Sequence, residues 1–149
     1  MKIIIASDHH GVGIKAKIIK FLRKLGYEVD DYGTNSLELV DYPEYAFKVG
    51  KSIQKGEAQL GILLCGTGIG MSIAANKVKG IRCAKIDNVN DARLAKEHNN
   101  ANVLAMSSKK RFRVIKNMLL GFLNTKTSDE ERHKRRRDAI DNYNDNILI

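Results

Sequence analysis

The chain has 149 residues, 43% of them hydrophobic, and carries 26 Lys and Arg against 17 Asp and Glu for a formal charge of +9. That length builds one domain with a real core and is short for two. A single Pro, no Trp and 29% charged residues exclude a collagen-like, disordered or aromatic-rich binding module. Residues 1–149 are therefore expected to form one domain, with 125–149 a C-terminal helical extension.

Short apolar runs alternate with helical patterns, the signature of a parallel sheet covered on both faces. Lys2 to Ser7 reads as the first strand. A helix follows, with Ile14, Ile18, Phe21, Leu22 and Leu25 at helical spacing until Gly26 stops it. Tyr27 to Gly33 is the second strand. Pro43 suits the first turn of a second helix, which buries Ala46, Val49 and Ile53. Leu60 to Leu64 is the third strand, Ser72 to Val78 a helix of small residues, Ile81 to Ile86 the fourth strand, Asn90 to Glu97 a helix, and Val103 to Met106 the fifth strand. Two helices end the chain, one carrying Phe112, Ile115, Leu119 and Phe122, the other spanning about Asp129 to Asn142. Ligands of such folds sit beyond the carboxyl ends of the strands, so the loops after strands one, two and three are expected to line a site.

Both cysteines, Cys65 and Cys83, fall in apolar runs rather than in an extracellular disulfide framework, which points to a reducing compartment. The apolar start Met1-Lys-Ile-Ile-Ile is too short for a signal peptide, and no run approaches a membrane span. A cytoplasmic protein without a membrane partner is the expectation.

Asp8-His9-His10-Gly11 follows the first strand directly, so a carboxylate and imidazoles stand where ligands bind; the plainer reading is a helix cap. Cys65 ends the third strand and leads into Gly66-Thr67-Gly68-Ile69-Gly70, whose glycines allow several backbone N–H groups to converge on one anion. Such surroundings favour a thiolate able to take a proton near neutrality, against plain core packing for a cysteine in an apolar strand. The loop matches neither the dinucleotide fingerprint nor the Walker loop.

The basic residues cluster once, in Arg132-His133-Lys134-Arg135-Arg136-Arg137. Arg132 and Arg136 are spaced i,i+4 on a stripe that continues to Ile140 and Tyr143, which predicts an inward face and an anion, best a phosphate monoester, held by guanidinium forks. Arg135 and Arg137 read as solvated. His98 and Asn99 close the fourth helix, at the amino edge of the sheet and opposite Asp8 and Cys65. If His98 is catalytic it comes from a second chain, which predicts a symmetric dimer with shared sites.

Ser7-Asp8-His9, Asp41-Tyr42-Pro43-Glu44-Tyr45-Ala46, the run from Cys65-Gly-Thr-Gly-Ile-Gly to Asn76-Lys77, His98-Asn99-Asn100-Ala101-Asn102-Val103-Leu104 and Arg132-His133 together resemble ribose-5-phosphate isomerase type B over almost the whole chain. The resemblance implies a Rossmann-like three-layer α/β/α sandwich around a five-stranded parallel sheet. It implies interconversion of D-ribose 5-phosphate and D-ribulose 5-phosphate in the non-oxidative pentose phosphate pathway, with no metal or organic cofactor.

Carried over by motif, Cys65 resembles the base acting on the C2 proton, and His98 the group that helps open the furanose ring. Asp8, His9 and Tyr42 would contact sugar hydroxyls, together with Ser72. Thr67 and the amides of Gly66, Gly68 and Gly70 would stabilise an enediolate, with Asn99 assisting, and Arg132, His133 and Arg136 would hold the phosphate. The chain departs from the pattern at His10, where a small apolar residue is usual, and at Lys109, where an arginine often binds phosphate; Lys supplies charge there without a bidentate fork. Relatives acting on galactose 6-phosphate or allose 6-phosphate share the architecture, and the dimer could pair into a tetramer. A basic nucleic-acid-binding α/β module is the rival class, but the chain carries no nucleic-acid motif, and no nucleic-acid partner is expected.

Overall fold

The computed structural model describes residues 1–143. The last residues of the expected extension, 144–149, lie outside the described residues. Five parallel strands run through the middle: β1 (Lys2–Ser7), β2 (Glu28–Asp31), β3 (Leu60–Cys65), β4 (Cys83–Lys85) and β5 (Val103–Ser107), in the order β2-β1-β3-β5-β4. Six α-helices connect or follow them: α1 (Val12–Lys24), α2 (Tyr42–Gln54), α3 (Ile69–Ala75), α4 (Val89–Glu97), α5 (Phe112–Leu123) and α6 (Glu131–Asp141). A single 3₁₀ turn, His9–Gly11, separates β1 from α1.

The strict alternation of side chains along each strand divides the core in two. Ile3, Ile5, Ile62, Leu64, Leu104 and Met106 face α1, α4 and α5. Ile4, Ala6, Leu63, Cys65, Val103 and Ala105 face α2 and α3. This is the expected three-layer sandwich. α6 lies outside both layers and buries only His133.

Several boundaries differ from the sequence reading. β2 is shorter than Tyr27 to Gly33, although its backbone continues to pair with β1 as far as Thr34, whose N–H donates to Ser7 O. α3 begins at Ile69 rather than Ser72, because Gly68 at φ +81° turns the chain straight into the helix. It ends at Ala75 because the Asn76 amide pairs with the backbone N–H and C=O of Cys83, at 2.8 and 2.9 Å. β4 contracts to Cys83–Lys85. The stripe on α1 also shifts: Leu25 is exposed, and the buried face is Lys15, Ile18, Ile19 and Leu22.

Lys15 explains that shift. It is only 1% exposed, and its ammonium donates to Asp31 Oδ1 (2.5 Å), Thr34 O (2.8 Å) and Asn35 Oδ1 (2.9 Å). All three N–H donors of the group are thereby used. Thr34 is in turn bonded to Ser7, so a lysine on α1 holds the segment after β2 against the end of β1. Lys15→Ala should lower the unfolding free energy by about 1–3 kcal/mol, since it strands the buried Thr34 carbonyl and removes the ion pair with the partly exposed Asp31. The exposed neighbour Lys17→Ala should change it by less than about 0.5 kcal/mol, and urea unfolding of the two variants measures the contrast.

Candidate active site

The strand order reverses direction between β1 and β3, and that switch point opens a crevice at the carboxyl edge. The register Ser7↔Leu64 brings Asp8 level with Cys65, and Asp8 N donates to Leu64 O at 3.0 Å. Asp8 is buried and caps the 3₁₀ turn, with Oδ1 accepting from His10 N at 2.9 Å. The capping and functional readings of Asp8 are thus compatible, because one carboxylate oxygen caps and the other remains.

Cys65 is 5% exposed, and its Sγ accepts a hydrogen bond from Gly68 N at 3.1 Å. The loop reaches this shape because Gly68 lies flat on β5: a Cβ there would stand 2.8 Å from the Met106 carbonyl carbon. At Gly70 a Cβ would fall 2.4 to 2.6 Å from the Tyr42 phenol, which therefore rests on the loop and would have to swing aside for any larger residue. Lys109 approaches from the other side, its Cε 4.0 Å from where a Gly66 Cβ would stand. Thr67 is exposed and its Oγ1 accepts from Ile69 N at 3.2 Å; the Ser72 hydroxyl is spent on Ile69 O at 2.8 Å. The structure therefore gathers Asp8, His9, Tyr42, Cys65, the glycine loop and Lys109 at one edge. Cys83 is a different thiol: burial pushes it up to about 12, so it stays protonated near neutrality, in the wall of a 270 Å³ cavity with Arg82, Asn99 and Ile140.

His98, Asn99, Arg132, His133 and Arg136 form a second group. His98 caps α4, and its ring stacks on His133 with centroids 4.1 Å apart and planes 11° from parallel. Gly61 N bonds Asn102 O, so the turn after His98 lies beside the amino end of β3. From there to Cys65 is four residues of strand, about 13 Å at the usual rise. One chain does not unite the two groups.

The basic helix corrects the sequence reading. Arg132 and Arg136 are exposed, Arg132 pairing among the described residues with Glu130 at 2.7 Å, and Ile140 is exposed as well. The inward face is one residue on: His133 is buried, and Arg137, read as solvated, donates to His98 O (3.2 Å) and Ser128 O (3.1 Å). A guanidinium that satisfies the His98 carbonyl at the C-terminus of α4 and the Ser128 carbonyl just before α6 decides which face of α6 turns inward. The i,i+4 spacing of His133 and Arg137 was the available signal. Arg82 was also missed: it binds Asn99 O at 3.0 Å, Asn100 O at 3.1 Å and the Asp141 carboxylate at 2.5 Å, tying the turn after α4 to the end of α6.

Residues 3–140 match the family model described as Ribose/Galactose Isomerase. Ribose-5-phosphate isomerase B of Escherichia coli is 46% identical over 108 residues, 72% of each chain. The solved structure of Clostridium thermocellum ribose-5-phosphate isomerase B superposes with a TM-score of 0.91 at 44% identity, covering 95% of both chains. That of the Mycoplasma genitalium ribose-5-phosphate isomerase B with bound ribulose-5-phosphate gives 0.89 at 40% identity, covering 94% of this chain and 93% of that one.

Burial lowers the His133 pKa below its usual 6.5, and the neighbouring His98 and Arg132 add to the effect. The folded state thus binds this proton less readily than the unfolded one, so the associated stability is complete above the unfolded value and is lost as pH falls through it and down past the folded value. The Tm should drop as pH falls through the usual imidazole range around 6.5 and below, and His133→Asn should flatten that drop in a thermal-melt series.

Proposed function

Because the chain belongs to the ribose/galactose isomerase family, we propose that it interconverts D-ribose 5-phosphate and D-ribulose 5-phosphate in the pentose phosphate pathway, as a cytoplasmic homodimer with shared sites. The observation that carries the chemistry is the Cys65 thiol, held by the Gly68 amide at 3.1 Å inside the glycine loop and level with Asp8, just past the end of the neighbouring strand β1.

The reaction needs a base beside C2 of the open-chain aldose and donors for the charge that develops on O1. Cys65 Sγ, as thiolate, takes the C2 proton; the C2–H electrons form the C1–C2 double bond, and the carbonyl pair moves onto O1. Amides of the Gly66 to Gly70 loop and the Thr67 hydroxyl stabilise this enediolate. The thiol then returns the proton to C1 while the O2 proton passes to O1, leaving the ketose. Asp8, His9 and Tyr42 hold the sugar hydroxyls. Proton transfer by one positioned group is worth about 10²–10⁴ in rate.

The second copy is proposed because the described site is divided. α3 exposes Ile69 (51%) and Ile73 (59%) next to the glycine loop, and α6 exposes Ile140. A two-fold axis that covers these side chains brings His98 of one chain toward Cys65 of the other, with Asn99 and the cations Arg132 and Arg136 on the phosphate. The arginines are exposed in one chain for the same reason: their anion lies across the interface. There His98 would assist ring opening.

A hexose 6-phosphate such as galactose or allose 6-phosphate is the second substrate class, favoured by the family's own span over ribose and galactose. Side-by-side turnover on the three sugar phosphates is expected to favour ribose 5-phosphate, and a preference for either hexose would reverse the assignment. Cys65→Ala should cut kcat about 10²–10⁴-fold with little change in KM; turnover near the parent's would remove Cys65 as base. His98→Asn should slow the ring-closed sugar more than a pre-opened substrate, and equal losses would reject ring opening.

A further inference from the structure

We propose that Asp8, His9 and His10 form a binding site for a divalent transition cation of the zinc type, at the mouth of the sugar pocket. The three side chains each offer a ligand atom, and these atoms lie within 4.8 Å of one another. Asp8 Oδ2 stands 3.4 Å from His10 Nδ1. That is long for a hydrogen bond. It matches the separation of two ligands on a tetrahedral zinc, about 3.3–3.5 Å for bonds of about 2.0–2.2 Å.

The surroundings favour the same reading. The His10 amide fixes Asp8 Oδ1 at 2.9 Å, which orients the carboxylate and leaves Oδ2 for a cation. The His9 and His10 rings lie 4.0 Å apart, tilted by 40°, so both imidazoles serve one small volume. His9 Nδ1 is buried and has no hydrogen-bond partner among the described residues. Two imidazoles and one carboxylate select zinc, copper or nickel over magnesium or calcium. Three protein ligands leave a fourth position for water.

Such a cation draws Asp8 and His9 away from the sugar, so it acts as an inhibitor competitive with the sugar phosphate; this consequence, unlike the site itself, rests on the proposed function. His10 has no part in the proposed proton transfer.

The test is a zinc titration of untagged, chelator-stripped protein against a chromophoric zinc indicator, with parallel isomerase assays. One equivalent per chain is expected, and magnesium should not displace it. His10→Ala should weaken zinc binding about tenfold or more, as expected for losing a ligand, keep parent turnover without zinc, and raise the half-inhibiting zinc concentration by the same factor. Zinc affinity unchanged in His10→Ala would overturn the site. Zinc that binds through His10 yet leaves turnover untouched would uphold the site and reject the sugar contacts assigned to Asp8 and His9.

Discussion

The parallel direction of all five strands is the constraint on which the rest depends. It gives the sheet two chemically different edges: one collects every strand end, the other every helix end. Asp8 and Cys65 occupy the first because one follows and the other closes a strand beside the switch point, and His98 occupies the second because it closes a helix. No loop adjustment within one chain removes the strand length between them. A reaction that needs both groups therefore needs two chains, and the proposed dimer follows from connectivity before any surface is considered.

Within the carboxyl edge, precision comes from close backbone approach. The glycine loop presses on the Met106 backbone at Gly68 so tightly that no other residue fits, and the Tyr42 phenol rests against it at Gly70. The same contacts that shape the amide cluster also place the phenol and thiol. Lys15 supports this edge from below by tying the segment after β2 to the end of β1. Burial of a fully satisfied ammonium makes that junction specific, since no apolar side chain would bind all three oxygens.

The features legible in the sequence are those set by local pattern. All five strands, the glycine loop and the position of Cys65 at a strand end follow from hydrophobic runs and their punctuation. The face of α6 does not. Its residues are nearly all charged, so no apolar stripe marks an inside, and the choice between Arg132/Arg136 and His133/Arg137 is made by the carbonyls of His98, at the end of α4, and Ser128, in the segment before α6. Lys15 was hidden for a related reason. A lysine between Ile14 and Ile18 reads as solvated until its acceptors, 16 to 20 residues away in sequence, are brought beside it. Tertiary hydrogen bonds leave no trace in periodicity.

The sharing of each site between chains is tested most directly by complementation. Cys65→Ala and His98→Ala homodimers should both be nearly inactive. When the two are mixed and allowed to exchange subunits, half of the dimers are hybrids and each hybrid keeps one site with both groups intact, so activity should recover to about a quarter of the parent's. No recovery, with hybrid formation verified by mass, would show that Cys65 and His98 do not serve a common site across the interface.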